Sequence, residues 1–279
     1  MGSFAGKRVL VTGGAQGIGL EIARAFGNEG CQIALTDINQ AGLEKAKQAL
    51  SEEGLQVDTY VMDVTNPAQV LEQADPIWLD GAIDILVNNA GIVFGGPFTE
   101  VPLEKHKRTV DINVMGVVNV TYAFLPRMLR REKAHVVIIS SASGFLGLPY
   151  GTTYAASKWA TNGFAESLRT EMAELGHHHL KVTCVCPSYI STGLFEGVKA
   201  PFLTPILTPQ YLARQVVRAT AKGKAYLKKP WSVHLATISR GLLPTSLFDK
   251  IIGMFGTTQS MKQWRGHTPP ESAERSQTH

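Results

Sequence analysis

Short runs of β-branched and aliphatic residues alternate with longer segments of helical periodicity. The apolar runs are KRVLVTG, CQIALTD, QVDTYVMDV, IDILVNNAG, HVVIISSAS and LKVTCVCPS. Helical patterns separate them over residues 17–29, 40–53, 67–79, a long stretch ending at Met128, and 154–175. Several apolar runs lack any polar alternation, as expected of strands covered on both faces. The pattern predicts a doubly wound parallel α/β sheet of Rossmann type, in three layers and a single domain.

The chain beyond Pro187 has a different pattern. Residues 188–208 are rich in proline, glycine and large apolar side chains, which favours a lid over an apolar substrate, with an ordinary connecting segment as the alternative. A helix over 209–222 and a short strand in KAYLKK follow, and the apolar stretch 233–256 has a proline break that predicts two short helices. We expect a catalytic domain over residues 1–264 that includes both segments, and a flexible polar tail over 265–279.

A glycine-rich turn joins the first predicted strand to the first helix, in VLVTGGAQGIGLEIARAF. Gly13, Gly17 and Gly19 allow a tight turn and let the backbone approach a pyrophosphate, whose charge the free N–H groups at the helix start stabilise. A glycine triplet alone is a weak signal, because many turns use glycine. Its position inside a strand-helix-strand unit predicts a dinucleotide site.

Asp37 closes the second predicted strand, 24 residues after Gly13. A carboxylate there can accept hydrogen bonds from both hydroxyls of the adenosine ribose, whereas a 2′-phosphate would meet like charge. Gln16 and Ile38 stand where a compensating Arg or Lys would be expected. The pattern predicts NAD(H) rather than NADP(H), and a helix-capping role for Asp37 stays open.

Two further polar segments follow the next two strands. Asp63 comes after the third strand and could hold the adenine amino group, with the Val64 N–H at the ring edge. The sequence NNAG, residues 88–91, follows the fourth strand, and its small residues would let the backbone lie close to the cofactor. Since Asn and Gly serve any loop, this segment alone is only suggestive.

Tyr154 and Lys158 are four residues apart in YGTTYAASKW, so they share one face of a predicted helix. An ammonium about 4.5 Å from the phenol, at an effective dielectric near 20, contributes about 3.7 kcal/mol and would lower the tyrosine pKa towards about 7 to 8. Tyr154 would then be the general base in alcohol oxidation and the general acid in carbonyl reduction. Such pairs also occur by chance on many helices.

Taken in order, these segments resemble the short-chain dehydrogenase/reductase family in its single-domain form. TGGAQGIG matches the family's TGxxxGxG turn, and Asp63 and NNAG match its next two motifs. The family's four catalytic positions fall on Asn113, Ser141, Tyr154 and Lys158. The resemblance implies that Ser141 holds the substrate oxygen and that Lys158 also contacts the nicotinamide ribose. Asn113, inside a long predicted helix, would hold a water that links Lys158 to solvent.

The family's proline-glycine pair after the sixth strand appears here as Pro187-Ser188, and Thr192 follows in the usual place. The resemblance implies that Pro187 faces the nicotinamide, while the Ile190 N–H and Thr192 contact its carboxamide. Ser188 in place of glycine leaves the local backbone geometry open. The implied cofactor contacts are Gly13, Gln16, Gly17, Ile18, Gly19, Asp37, Ile38, Asp63, Val64, Asn89, Ala90, Gly91, Tyr154, Lys158, Pro187, Ile190 and Thr192.

The segment CPSYISTGLFEGVK, the proline-rich lid and the apolar C-terminal stretch resemble the branch that contains retinol dehydrogenases and lipid-associated 17β-hydroxysteroid dehydrogenases. This resemblance implies an NAD-dependent alcohol dehydrogenase or carbonyl reductase for a lipophilic steroid-, retinoid- or aryl-type substrate. Two alternatives stay open: a reductase of smaller ketones with a relaxed pocket, and a catalytically silent NAD-sensing protein. The family's habits also imply a homodimer or homotetramer.

Composition and charge exclude several other classes of protein. The 279 residues are 44% hydrophobic and 18% charged, as in ordinary globular proteins. The net charge of +4 is mild and no basic stripe carries interleaved aromatics, so nucleic-acid binding is not expected. Cys31, Cys184 and Cys186 lack CxxC spacing, and the histidines of HHH, residues 177–179, have no partner at ligand spacing, so we expect reduced thiols and no metal site.

The absence of a signal-like segment and of about 18 uninterrupted apolar residues predicts a cytoplasmic protein. The apolar stretch 233–256 leaves two roles open. It could touch a membrane peripherally, or it could pack in the core and at a subunit interface.

Overall fold

The computed structural model describes residues 2, 4–201 and 204–266. Within this part of the chain one sheet is formed by β1 Arg8–Thr12, β2 Gln32–Asp37, β3 Val57–Val61, β4 Ile85–Asn88, β5 Ala134–Ile139, β6 Leu180–Pro187 and β7 Tyr226–Lys229. The strand order is β3-β2-β1-β4-β5-β6-β7, and all neighbouring strands run parallel. The predicted doubly wound parallel sheet is thereby confirmed.

The helices follow the strands in the predicted alternation. They are α1 Gly17–Gly27, α2 Gln40–Glu52, α3 Pro67–Leu79, α4 Leu103–Val110, α5 Gly116–Met128, α6 Thr152–Glu174, α7 Pro209–Ala221, α8 Trp231–Leu242 and α9 Thr245–Met254. Local capping fixes several starts, since the side chains of Asn39, Asn66 and Thr208 accept hydrogen bonds from the backbone N–H three residues later. The predicted proline break at Pro244 separates α8 from α9.

Alternate residues of the central strands enter cores on opposite faces of the sheet. Val9 and Val11 of β1 pack with Ile22 and Phe26 of α1. Leu10, between them, belongs to the core on the other face, which includes Val120 and Phe124 of α5 and Leu168 of α6. Because both faces are covered, the β1 residues between Arg8 and Thr12 are apolar throughout, and the fold has the three predicted layers.

The long helix predicted to end at Met128 is interrupted. Residues Asp111–Met115 form a π-helical turn between α4 and α5, and Asn113 lies in its middle. The periodic pattern predicted that Asn113 lies inside a regular helix, and this prediction is wrong. A single π-helical turn shifts the apolar face by only one residue, so periodicity does not detect it, and such turns occur frequently at functional sites.

The segment after β6 is held by a β-bridge and by side-chain hydrogen bonds rather than by regular structure. Ile190 forms an isolated parallel bridge with Leu207. The C-terminal residues 255–266 return across this segment, where Tyr189 and Ser260 are hydrogen-bonded at 2.7 Å and Trp264 Nε1 donates to Leu194 O. The polar tail predicted from residue 265 lies, from residue 267 onward, outside the described residues.

Membrane crossing by a helix finds no support in the fold. None of the helices within the described ranges combines the length and the apolar character that a membrane span requires.

Candidate active site

A cleft of about 670 Å³ lies at the carboxyl ends of the strands. Parallel strands bring the residues that follow them to one edge of the sheet, and the order β3-β2-β1-β4 places the ends of four consecutive βα units side by side. The residues expected from the resemblance to contact the cofactor line this cleft, except Gly19: they are Gly13, Gln16, Gly17, Ile18, Asp37, Ile38, Asp63, Val64, Asn89, Ala90, Gly91, Tyr154, Lys158, Pro187, Ile190 and Thr192.

Gly19 closes the glycine turn from behind. A Cβ atom at Gly19 would lie 2.2 Å from Gly13 O and 2.5 Å from Asn89 Nδ2, so no larger residue fits. Asn89 Nδ2 in turn donates to the carbonyl oxygens of Thr12 and Gly13 at 3.0 Å. Gly13 has a φ of +63°, which favours glycine. Gly19 therefore keeps the turn compact without lining the cleft.

The first turn of α1 offers free N–H groups to the cleft. Its N-cap residue, Gln16, makes no side-chain capping hydrogen bond, and the first turn of this described helix contains no acidic residue. Unpaired amides at a helix start carry partial positive charge and bind anions. A dinucleotide pyrophosphate fits this position.

The Asp37 carboxylate faces the cleft from the end of β2. Its Oδ2 accepts from Ala15 N at 3.2 Å and its Oδ1 from Asn39 N at 3.0 Å. The capping role left open for Asp37 is filled by Asn39, which caps α2 by accepting from Gly42 N. Among the described residues that line the cleft, β2, β3, α1 and α2 contribute no Lys or Arg, so no cation offsets the carboxylate there.

Asp63 and the NNAG segment are held by hydrogen bonds within the protein. Asp63 Oδ1 accepts from the N–H and the hydroxyl of Thr65. Thr12 Oγ1 accepts from the N–H groups of both Asn89 and Ala90, which ties the segment after β4 to the end of β1. Thr12 was not among the sequence-predicted site residues, although its position directly before Gly13 could have pointed to it.

Ser141, Tyr154 and Lys158 come together at the inner end of the cleft. Lys158 Nζ donates to Ile139 O at 3.0 Å and lies 5.6 Å from the centre of the Tyr154 ring. The Ser141 hydroxyl is hydrogen-bonded to Tyr154. Helix α6 and the end of β5 therefore bring a serine, a tyrosine and a lysine to one point, as the spacing predicted.

The pKa values of Tyr154 and Lys158 differ from those expected from the sequence. Burial raises the pKa of Tyr154 above its usual range, and the Ser141 hydrogen bond opposes that rise only in part. Burial also lowers the pKa of Lys158 to about 8. The Coulomb attraction calculated from sequence left out the cost of removing both groups from water, and this desolvation is the larger effect in the protein without its cofactor. The expected fall of the tyrosine pKa towards 7 or 8 is therefore wrong for this state.

Asn113 stands behind the cleft and is fully buried. Its Oδ1 accepts from Ile92 N at 2.8 Å, and its Nδ2 donates to Ile92 O and Ser157 Oγ at 2.9 Å. These bonds use the side-chain amide to join the segment after β4 to helix α6. The side-chain amide therefore positions the helix that carries Tyr154 and Lys158, and the expected water-holding role of Asn113 stays a prediction.

A second, apolar cavity of about 190 Å³ adjoins the cleft. Both are lined by Ser141, Tyr154, Ser188 and Phe195. The segment after β6 contributes Tyr189, Pro201 and Thr204 to the cavity wall, and its role as a lid stays a prediction. Helices α8 and α9 and the loop before α6 supply apolar residues that sequence patterns did not assign to a site: Leu146, Leu148, Trp231, Val233, Leu235, Phe248, Ile251 and Ile252.

Tyr150, four residues before Tyr154, lines neither of these two cavities. It adopts a φ of +63°, unusual for a residue with a side chain, and its carbonyl accepts from Gly96 N at 2.8 Å. Tyr154, four residues before Lys158, therefore reaches the cleft, and Tyr150 does not.

The cysteines and the HHH histidines singled out from the sequence do not line the cleft. Cys31, Cys184 and Cys186 are buried free thiols. His179 Nε2 bonds to Leu129 O, and no group of three or more His, Cys, Asp or Glu residues in the described ranges is arranged to hold a metal ion.

Comparison with known proteins identifies the family. Residues 7–201 match the family model described as short chain dehydrogenase. The chain belongs to the short-chain dehydrogenase family. Its members act as oxidoreductases, and the predicted resemblance is thereby confirmed.

Two relatives support the predicted branch of the family. The chain is 34% identical to mouse (Mus musculus) epidermal retinol dehydrogenase 2, over 92% of this chain and 85% of the relative. It is 31% identical to 17-beta-hydroxysteroid dehydrogenase 13 of Rattus norvegicus, over 89% of this chain and 83% of the relative. The chain therefore lies near the retinol and 17β-hydroxysteroid dehydrogenase branch.

Two solved structures share the fold over nearly their whole length. A short-chain dehydrogenase/reductase of Burkholderia phymatum in complex with NAD superposes with a TM-score of 0.79 at 25% identity, covering 98% of this chain and 100% of that one. A gluconate 5-dehydrogenase of Burkholderia cenocepacia in complex with NADP and tartrate gives 0.75 at 26% identity, covering 82% and 96%. Structures of this family thus contain either dinucleotide.

Proposed function

We propose that this protein is an NAD(H)-dependent dehydrogenase that interconverts a lipophilic steroid-, retinoid- or aryl-type alcohol and its ketone or aldehyde. The observation that carries the proposal is the junction at Ser141 and Tyr154, where an apolar cavity meets the dinucleotide cleft. A substrate carbon held there would have the hydroxyl groups on one side and the cofactor cleft on the other. The retinol and hydroxysteroid dehydrogenases among the relatives support this substrate class.

The chain's own residues would orient the substrate and move a proton. A nicotinamide dinucleotide bound in the cleft supplies or accepts the hydride. Ser141 Oγ would hold the substrate oxygen, and the Tyr154 hydroxyl would exchange a proton with it. Because burial raises its pKa, Tyr154 is protonated at neutral pH and ready to act as the acid in reduction. For oxidation Tyr154 must lose that proton, which the ammonium of Lys158 favours.

Lys158 would serve both the tyrosine and the cofactor. One of its three N–H bonds is used by Ile139 O, which leaves two for the ribose hydroxyls. With a pKa of about 8, the amine is mostly charged at neutral pH. Its positive charge beside Tyr154 would favour a phenolate, as does the Ser141 hydrogen bond, which lowers the pKa of Tyr154.

Asp37 supports NAD(H) as the cofactor. We expect Asp37→Ser to lower the ratio of kcat/KM with NAD to kcat/KM with NADP by about 10²-fold, since it removes two ribose hydrogen bonds and the repulsion of a 2′-phosphate. Initial rates followed by NADH and NADPH absorbance measure this ratio. Asp75→Ser, which removes an exposed carboxylate from α3, is the control and should leave the ratio unchanged. A wild-type protein that prefers NADP would overturn the assignment.

A reductase of smaller ketones is the second candidate, and the cavity volume favours it. About 190 Å³ lies below the roughly 300–1,000 Å³ of pockets that enclose drug-sized ligands. A large substrate would have to extend beyond the cavity, past Trp231 and Phe255, which are lining residues exposed to solvent.

A substrate panel separates the two candidates. Steroid alcohols, retinol, aryl alcohols and a series of aliphatic alcohols of increasing length are assayed with each cofactor by NADH or NADPH absorbance. The proposal predicts kcat/KM that rises with apolar length, because each added CH₂ buried in the cavity contributes about 0.8 kcal/mol. A maximum at the shortest members would favour the smaller-ketone reductase. No turnover of any member, with NAD binding retained, would favour the NAD-sensing alternative.

A further inference from the structure

Helix α8 carries a stripe of exposed large apolar side chains. Trp231, Leu235, Ile238 and Leu242 are 62%, 53%, 60% and 77% exposed. Their spacings of four, three and four residues place them on one face of the helix. Single exposed leucines are common in proteins, whereas a continuous apolar stripe marks an interaction surface.

Helix α9 and the residue after it carry further exposed apolar side chains. Leu247 is 45%, Met254 80% and Phe255 37% exposed. We call the seven residues of both helices the apolar platform: Trp231, Leu235, Ile238, Leu242, Leu247, Met254 and Phe255. Its members Trp231, Leu235 and Phe255 also line the apolar cavity. The apolar platform therefore adjoins the cavity where its lining reaches the protein surface.

The segment that carries the apolar platform is positively charged. Residues 226–266, from β7 onward, contain six Lys or Arg residues and one carboxylate, Asp249, whereas the rest of the chain has 21 Lys or Arg against 22 Asp or Glu. Two of these cations lie over aromatic rings: Lys228 over Phe145 and Arg240 over Trp159. The excess of positive charge of the whole protein lies in the segment that carries the exposed apolar residues.

We propose that the apolar platform docks on an anionic lipid surface, with its apolar side chains among the lipid chains and the surrounding cations near the headgroups. Amphipathic helices bind membranes through this combination of buried apolar area and attraction to anionic lipid. Docking would place the cavity next to the lipid phase, so a lipophilic alcohol could enter without crossing water. Only this last consequence rests on the proposed function, since the docking stands on the surface itself.

Charge favours a lipid surface over a second copy of this chain. A symmetric contact between two apolar platforms would bring two segments of net charge +5 together, which like-charge repulsion disfavours. Exposed apolar side chains also lie outside the apolar platform, such as Tyr122 of α5, so packing between copies does not require the platform.

The test is flotation of the full-length protein with phosphatidylcholine vesicles, with and without phosphatidylserine. The variant carries Ile238→Ser, Leu242→Ser and Met254→Ser, none of which lines the cavity. The matched control carries Leu71→Ser, Leu79→Ser and Leu175→Ser, which are similarly exposed outside α8 and α9. We expect wild type and control to float with anionic vesicles, less so at high salt, and the platform variant to partition at least about tenfold more weakly.

Several outcomes would overturn the docking. These are wild-type protein that stays unbound at low salt, a platform variant that binds as well as wild type, and binding that the control variant loses equally. A platform variant whose only change is a smaller mass in size-exclusion chromatography would show that a second copy occupies the surface instead. Turnover of the substrate panel separates the two proposals: docking without turnover of any panel member would overturn the proposed function alone, and turnover without docking the docking alone.

Discussion

Tyr154→Phe is expected to lower kcat for alcohol oxidation by between about 10² and 10⁴-fold while leaving NAD affinity within a few-fold of wild type. The change removes the hydroxyl that is hydrogen-bonded to Ser141 and leaves the ring, which packs edge-on against Phe195 at 5.8 Å. Since the ring keeps its packing, the cleft should keep its shape. Single-turnover NADH absorbance measures the rate, and titration of tryptophan fluorescence with NAD measures the affinity.

Tyr150→Phe is the matched control for this experiment. It removes the same hydroxyl four residues earlier, from a side chain that does not line the cleft, and should leave both quantities near wild type. An unchanged rate in Tyr154→Phe would remove Tyr154 from proton transfer. Equal losses in both variants would mean that the loop before α6, rather than the Tyr154 hydroxyl, sets the rate.

The part of the site that could be predicted lies where local pattern and sheet geometry agree. Gly13, Asp37 and Asp63 each lie at or just after the carboxyl end of a strand, and a parallel sheet necessarily brings such positions to one edge. Tyr154 and Lys158 share a helix face by their spacing alone. These inferences need only the order of the elements, so they hold without knowledge of side-chain packing.

The part that could not be predicted depends on residues far apart in sequence. The desolvation of Tyr154 arises from a cluster that includes Val93, Tyr189 and Met261, contributed by three different segments. The π-helical turn at Asn113 shifts the apolar face of the helix by only one residue, which is too little for periodicity to reveal. Two helices were expected over residues 233–256, but their place beside the cavity follows from packing, which the pattern does not contain.

Lys158→Met is expected to abolish measurable turnover and yet to stabilise the cofactor-free protein at neutral pH. Burial holds the pKa of Lys158 at about 8, below its ordinary 10.5, so the folded state carries the cost of a buried ammonium below pH 8. The methionine side chain has a similar length and no charge to desolvate. The gain in the free energy of unfolding is at most about 3 kcal/mol, the equivalent of the pKa difference.

The pH dependence of the stability difference between Lys158→Met and wild type tests whether desolvation of the Lys158 ammonium causes it. Between about pH 8 and pH 10.5 the folded wild type has released the Lys158 proton while the unfolded chain keeps it, so wild-type stability rises with pH relative to the variant. The advantage of Lys158→Met should therefore be complete below pH 8 and shrink through that window. Urea unfolding at several pH values measures it, with Lys181→Met on the exposed side of β6 as the control. A variant less stable than wild type at pH 7 would mean that the bond from Lys158 Nζ to Ile139 O outweighs the cost of desolvation.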